Sequence, residues 1–272
     1  MSIRFVVIAL FALVTGFAMP RPADAAVTTS FSDAWWNPDE SGWGANISQQ
    51  ADVLFVSLFV YGPNTQPIWY SIQLTYSGQS ANGDLLFVGD AYVTTGPWFG
   101  GAFDPSQVGI RRVGGAIFTA TSVTSGTLAY TVDGVSVLKS LVRQTLKAES
   151  LAGTYLGGIT AVRSSCTNPA FDGTVLTGVS VTVAHSGSNF QMDTVDAKTG
   201  NRCTYNGTYN QDGQMGRVLG SYTCTSGELG SFSFFEVQSS ISGFMGRFIA
   251  PTFLGTDSCN VAGRLAAAKA TF

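Results

Sequence analysis

The chain has one histidine, His185, and no cysteine before position 166. A single His cannot build a His-rich metal centre. A Ser-His-Asp arrangement would have to use His185, and no G-x-S-x-G elbow stands beside a strand–helix pattern. Charge is equally scarce: Asp, Glu, Lys and Arg make up 11% of the residues, with 14 basic against 17 acidic and no basic run. Nucleic-acid binding draws its affinity from clustered cations that displace counterions, so nucleic acid is excluded as a partner. Nor is there an apolar run long enough to cross a bilayer as a helix. The longest, Phe5 to Met19, has 15 residues, short of the roughly 20 a spanning helix needs.

That short run reads as an export signal. Arg4 supplies the positive flank, Phe5 to Met19 the apolar segment, and Ala23-Asp24-Ala25 an A-x-A cleavage site, so residues 1–25 are expected to be removed. No Cys follows for a lipid anchor, and no transmembrane helix is expected after cleavage. The mature chain belongs in the periplasm or outside the cell. There, four Cys (Cys166, Cys203, Cys224, Cys259) read as two disulfides with three possible connectivities. None of their spacings resembles a zinc knuckle, so no metal and no cofactor is expected.

Period two runs through nearly the whole chain. Ile68, Tyr70, Ile72, Leu74 and Tyr76 alternate with Ser71, Gln73 and Thr75, the pattern of a half-buried strand. Trp43, Ala45 and Ile47 alternate likewise, whereas Val53 to Tyr61 is apolar at every other position on both faces and is expected to be covered on both. Further strands are predicted at 85–94, 108–112, 116–123, 127–132 and 135–144. Turn signals separate them, Asp133-Gly134 being the strongest. Lys147 to Ser150 is the most polar break, and eight more strands follow it: 153–163, 177–185, 189–195, 202–210, 217–225, 229–237, 242–250 and 260–268. The expected fold is all-β, with two antiparallel up-and-down barrel-like domains of about eight strands each, at 27–146 and 150–268. The run from Leu265 to Thr271 lacks the large residues and aromatic girdle of an outer-membrane strand.

If Gln211 to Gln214 turn the chain, residues whose numbers sum to about 427 face each other, which sets Cys203 opposite Cys224, Tyr205 opposite Tyr222 and Tyr209 opposite Val218. Residues directly opposite in an antiparallel ladder are within disulfide reach. The expected bridges are therefore Cys203–Cys224 and, tying the first and last strands of the second domain, Cys166–Cys259.

Three of the five Trp lie in Trp35-Trp36-Asn37-Pro38-Asp39-Glu40-Ser41-Gly42-Trp43-Gly44, after a polar leader ending at Asp33. This stretch resembles a W-W-N-P-x-E-S-G-W-G signature of uncharacterised secreted bacterial proteins, which is often followed, as here, by a hydrophobic hairpin and a Pro-x-Trp element (Pro67-Ile68-Trp69). Gly42-Trp43-Gly44 is also loosely similar to the G-x-W element that opens lipocalin-like barrels, where the Trp closes the barrel floor. That resemblance implies a barrel and no particular ligand.

Candidate chemistry is sparse. Asp39 and Glu40 beside Trp rings are the weak catalytic candidates of a carbohydrate-active enzyme. The ordinary reading is a turn whose side chains satisfy backbone N–H groups while the rings plug a barrel end. Candidate ligand-binding residues are Trp35, Trp36, Glu40, Trp43, Trp69, Trp98 and Phe99. Trp69 falls on the polar face of its strand and is expected to be exposed. Trp98 and Phe99 lie in a Gly/Pro loop; exposed rings on a β scaffold stack on sugars or anchor interfaces, whereas the ordinary reading has Trp69 and Trp98 cover a barrel mouth or bury against the second domain. His185 is expected to cap a strand end. The favoured function is non-catalytic binding of a small molecule, a glycan or an envelope protein. The alternatives are a carbohydrate-active enzyme using Glu40 or Asp39, and a structural envelope-associated protein.

Overall fold

In the computed structural model, which describes residue 27 and residues 29–270, the chain forms two closed antiparallel barrels of eight strands each. The leader 1–25 lies outside the described residues. The first barrel runs β1 (Asp33–Trp36), β2 (Gly44–Gln50), β3 (Val53–Tyr61), β4 (Pro67–Gln79), β5 (Leu85–Thr95), β6 (Gly109–Ala120), β7 (Ser125–Val132) and β8 (Val135–Arg143). Pairing of Trp35 with Arg143 and of Trp36 with Val142 closes it. The second runs β9 (Gly153–Ser164), β10 (Gly173–Ser186), β11 (Asn189–Asp196), β12 (Arg202–Asp212), β13 (Met215–Cys224), β14 (Leu229–Ser240), β15 (Gly243–Leu254) and β16 (Asp257–Lys269), with β16 pairing back on β9. Closure leaves no free sheet edge in either barrel. Two three-residue 3-10 turns are the only helices among the described residues, and no helix there is long and apolar enough to cross a membrane.

The strand count of the first barrel was expected, but two members differ. The predicted strands 108–112 and 116–123 are one strand, β6, with a bulge. Tyr92 faces Arg112 and Ala91 faces Gly114, so Val113 is the extra residue. The bulge turns Val113 into the core at 7% exposure. Gly114 lies so close to the carbonyl of Thr131 that a Cβ would collide with it, so the Gly pair that reads as a turn is a tight strand crossing. The eighth strand is instead β1, part of the expected leader and Trp stretch. Its inward positions are Asp33 and Trp35, and a buried carboxylate at the first of them hides the alternation.

β3 is covered on one face only. Leu54, Val56 and Leu58 are fully buried, whereas Phe55, Phe59 and Tyr61 point outward at 47%, 50% and 59% exposure. A closed barrel has a single inside, and among the described residues no element packs on the outer side of β3, so an apolar outer row stays open to solvent.

The first barrel is filled. Phe31, Trp35, Phe87 and Phe118 are at most 1% exposed and pack edge-to-face, with ring centroids 5.3 Å apart for Trp35–Phe118 and 5.6 Å for Phe31–Phe87. Each such ring contributes roughly 1.5–3 kcal/mol by leaving water. Trp43, Tyr70 and Tyr130 occupy the opposite end of the same interior. Asp133 and Gly134 take φ of 45° and 87°, the two positive values a type I′ hairpin needs.

The barrels meet at a polar junction. Arg143 at the end of β8 and Asp33 at the start of β1 form a 3.0 Å ion pair with side chains 0% and 3% exposed. The guanidinium also donates to the carbonyls of Val123 (2.7 Å), Ser32 (3.3 Å) and Ser30, and stacks 5.0 Å over the Trp35 ring. Burial pulls the Arg143 pKa down, and the Asp33 carboxylate opposes it. Asp33 also accepts the N–H of Gln214, in the β12–β13 turn of the second barrel, at 2.8 Å. Gly213 (φ +61°) sits where a Cβ would strike Asp33 and Arg143. The linker is tied down on the same turn: Gln211 accepts from the N–H of Glu149 and donates to the carbonyl of Lys147. His185 Nδ1 accepts the N–H of Leu151 at 3.0 Å, so it carries no proton, and Nε2 donates to the carbonyl of Gly187. The lone His thus pins the chain where it enters β9.

Candidate functional site

The sequence-selected residues divide between the two ends of the first barrel. Trp35 is 1% exposed and its indole N–H donates to the carbonyl of Phe31; it is core and has no face left for a ligand. Trp43 lies at the other end of the interior, its N–H on Glu40 Oε2 at 3.0 Å, with Lys139 Nζ 5.3 Å above its ring and 2.5 Å from the same carboxylate oxygen. Asn37 accepts the N–H of Asp39 at 3.0 Å, and Glu40 N–H donates to the carbonyl of Asn37 at 3.1 Å, which makes the signature a hydrogen-bonded turn. The hydrogen bond from Lys139 holds the Glu40 carboxyl below its ordinary range against desolvation, and that from Trp43 adds to the lowering. A carboxylate kept ionised in this way is a poor proton donor, the role a glycosidase acid must fill. Trp36 is half-buried on β1 beside Val142.

Trp69 stands on the outside of β4 at 48% exposure, cross-strand from Phe59. Trp98 and Phe99 are 72% and 94% exposed, 5.8 Å apart between centroids, in the loop joining β5 and β6. They neither cover a mouth nor bury against the second barrel. Their loop leaves the end of the first barrel opposite the junction, because β5 runs away from the junction and β6 returns towards it.

A second place on the molecule has the geometry of a binding site, and none of the Trp residues belongs to it. The half of the second barrel nearest the junction is packed with Tyr155, Phe190, Tyr209, Phe234 and Phe244. The far half encloses a cavity of about 170 Å³. Its walls are mostly apolar and aromatic, with Tyr205, Tyr222, Phe232 and Phe248 facing small side chains such as Ala161 and Ala250. Strand alternation aims these residues inward, and the small ones leave the volume unfilled. Tyr205 and Tyr222 stack at 5.1 Å with 20° between their planes, and Phe232 meets Tyr205 edge-on at 5.3 Å. Burial pushes the Tyr205 phenol up to about 12, helped by Tyr222 beside it and opposed by Thr194. Both phenols are neutral near pH 7.

A polar rim lines the mouth. Arg163 near the end of β9 donates to Glu228 in the β13–β14 turn at 3.0 Å. In the closed strand order β13 lies four strands from β9, so this ion pair crosses the opening from one wall to the other. The side chains are 34% and 18% exposed, intermediate between a surface pair and a buried one. Asp196 joins the rim, its carboxylate held low chiefly by the backbone N–H of Thr199, and it accepts from Thr177 at 2.8 Å. The disulfides Cys203–Cys224 and Cys166–Cys259 are both at this end, the first in the cavity wall. The ladder pairs Cys203 with Cys224, Tyr205 with Tyr222 and Tyr209 with Val218, as the hairpin arithmetic requires. Among the described residues no three His, Cys, Asp or Glu side chains converge on a common point.

Sequence reasoning missed this cavity. The usable signal was the size of the inward residues: large rings recur through the first barrel, whereas Ala161, Thr194, Ala250 and Val261 fall on inward positions at one end of the second.

No family model matches the chain, and no curated protein does. Among solved structures, it is similar to a DUF3598-family protein of unknown function from Nostoc punctiforme, at 9% identity over 87% of this chain and 93% of that one, with a TM-score of 0.23. The resemblance of the Trp signature gains no support from these comparisons, and none of them names a ligand.

Proposed function

We propose that the protein is an exported, non-catalytic binding protein that carries a small, largely apolar molecule in the far half of its second barrel. The observation that carries this reading is the cavity of about 170 Å³ beneath the Arg163–Glu228 bridge. An apolar cavity of roughly 150 Å³ accommodates benzene, so the ligand is the size of one substituted ring or a short branched chain. At about eight non-hydrogen atoms and roughly 0.6 kcal/mol for each, binding would supply about 5 kcal/mol, a Kd on the order of 0.1–1 mM. Two disulfides suit the oxidising compartment that the leader implies.

The test is native mass spectrometry of the oxidised protein purified from its own source, followed by titration with one-ring compounds. The expected result is an added mass lost on denaturation and binding that disappears in Ala250→Phe, which fills the cavity. Binding that persists unchanged in a folded Ala250→Phe protein would refute the site.

A second reading rests on the exposed Trp98, Phe99 and Trp69. Aromatic faces on a rigid β scaffold stack on sugars or anchor partner proteins, and this end of the first barrel would then hold a glycan or an envelope protein. Retention on a cell-wall glycan column, lost in Trp69→Ala and Trp98→Ala, would support it. An enzymatic role for Glu40 is disfavoured by its contacts with Lys139 and Trp43; hydrolysis of a glycan by the native protein but not by Glu40→Gln would restore it.

A further inference from the structure

Independently of the cavity, we infer that the free end of the first barrel seats in the interfacial layer of an electrically neutral lipid bilayer, led by the loop between β5 and β6. The loop opens Gly96-Pro97-Trp98-Phe99-Gly100-Gly101-Ala102-Phe103, a run whose only polar side-chain atom is the indole nitrogen of Trp98. Trp98, Phe99 and Phe103 are 72%, 94% and 68% exposed. At roughly 200 Å² a ring, this leaves about 450 Å² of apolar surface on one connection, within the range that marks an interaction site. Gly100 lies so close to the Trp98 ring that a Cβ would collide with it, so the loop's own backbone props that ring. Around the loop, Tyr61 ends β3, Ile110 follows the start of β6 and Val135 begins β8, all three exposed. The turns at the junction end of the same barrel, 51–52, 80–84 and 121–124, carry no aromatic ring. One pole of the barrel is apolar and the other polar, the asymmetry of a body that enters a membrane interface from one side.

The chemistry of the loop separates lipid from the glycan or protein of the second reading. Sugar recognition needs polar partners beside the ring, and a protein interface makes about one hydrogen bond per 100–200 Å². Here the polar side chains of the loop are spent on each other, Asp104 accepting from the Ser106 N–H at 2.9 Å, Ser106 Oγ at 2.7 Å and Gln107 Nε2 at 3.1 Å. The Trp98 and Phe99 planes are 52° apart and make no common platform for a sugar chain, whereas lipid imposes no plane. Charge selects the kind of bilayer. Residues 27–146 hold four cations against eight carboxylates, and each cation is engaged: Arg111 by Asp133, Arg112 by Asp90, Lys139 by Glu40 and Arg143 by Asp33. Among the described residues of this barrel no cation is left free for an anionic headgroup, so affinity comes from insertion of the rings and not from surface potential.

The experiment floats the oxidised protein with phosphatidylcholine vesicles, with and without added phosphatidylglycerol. Native protein is expected to partition onto the neutral vesicles, changing by less than about twofold between roughly 0.05 and 0.5 M salt and not rising with anionic lipid. Trp98→Ser combined with Phe99→Ser should weaken partition by about tenfold or more at an unchanged circular dichroism spectrum. Leu176→Ser, which removes a side chain 78% exposed on the second barrel, should leave it within about twofold. Lipids brominated on their acyl chains should quench Trp fluorescence of the native protein by more than that of Trp98→Phe, which should still bind. Native protein that does not float, binding that requires phosphatidylglycerol and is lost in salt, or partition unchanged in the loop double variant overturns the inference. Retention on a cell-wall glycan that depends on Trp98, with no vesicle binding, assigns the loop to sugar and overturns it as well.

Discussion

Replacing Arg143 by Met gives the most direct test of the buried ion pair at the junction end of the first barrel. The substitution keeps the length and apolar character of the stem against Trp35 but removes the cation from a site where its side chain is 0% exposed. Asp33 would then be a carboxylate at 3% side-chain exposure with only the N–H groups of Ala34 and Gln214 to hold it. The carbonyls of Ser30, Ser32 and Val123 would lose their donor. Breaking a buried pair from one side costs about 3–5 kcal/mol. Each abandoned carbonyl would add roughly 1–3 kcal/mol if no water reached it. We take about 4 kcal/mol as the expected loss, which at an m-value of roughly 2 kcal/mol/M moves a urea midpoint by about 2 M. The protein supplies its own probes. All five Trp lie in the first barrel, between positions 35 and 98, so Trp fluorescence follows that barrel alone while far-ultraviolet circular dichroism follows both. Native protein should give coincident transitions. In Arg143→Met the fluorescence transition should come first. The double variant Asp33→Leu with Arg143→Met should be less destabilised than Arg143→Met alone, because no charge is left stranded. A loss under about 1 kcal/mol in Arg143→Met, or transitions that stay coincident, would refute this account of the junction.

Removing the Cys203–Cys224 bridge as a Ser pair should cost about 3 kcal/mol from the 21-residue separation it closes, and removing Cys166–Cys259, with its separation of 93, about 4–5 kcal/mol by chain entropy, both read from denaturation midpoints. Burial raises the Tyr209 phenol, 7% exposed, to about 12, with Glu149 adding to the shift. The folded chain therefore holds a proton that the unfolded chain gives up above about pH 10. Stability should be intact below about pH 10 and fall by roughly 1.4 kcal/mol per pH unit towards pH 12 for this group; a urea midpoint that does not move between about pH 10 and 11.5 would contradict it. Arg163→Met should change stability by under about 1 kcal/mol, since the pair is partly solvated, yet speed ligand exchange through the unbridged mouth. Exchange rates equal to native would show that the bridge does not guard the opening.

How much of this was legible in the residues depends on whether a feature is local. Alternation along Ile68 to Tyr76 and the short turns between strands are local, and they carried the two eight-stranded barrels. So was the β12–β13 hairpin, which led from turn to register to disulfide. Features made by closure were hidden. Arg163 and Glu228 are 65 residues apart and meet only because the barrel brings opposite walls together. Asp33 at an inward position breaks the pattern by which β1 would have been recognised, and its reason, Arg143, stands 110 positions away. Density of Trp drew attention to the signature, yet Trp35 and Trp43 chiefly fill and seal an interior. The void in the second barrel is written in Ala161 and Ala250, residues too small to attract notice until the register shows that they face inward together.

The placement of the junction has a mechanical meaning. It joins one end of the first barrel to the packed end of the second, so the Arg163–Glu228 mouth and the exposed aromatic loop each lie at the end the junction leaves free. On the proposed binding reading, a ligand enters at one free end without meeting the aromatic loop at the other, and Asp33, held by Arg143 within the first barrel, links the two barrels through the N–H of Gln214.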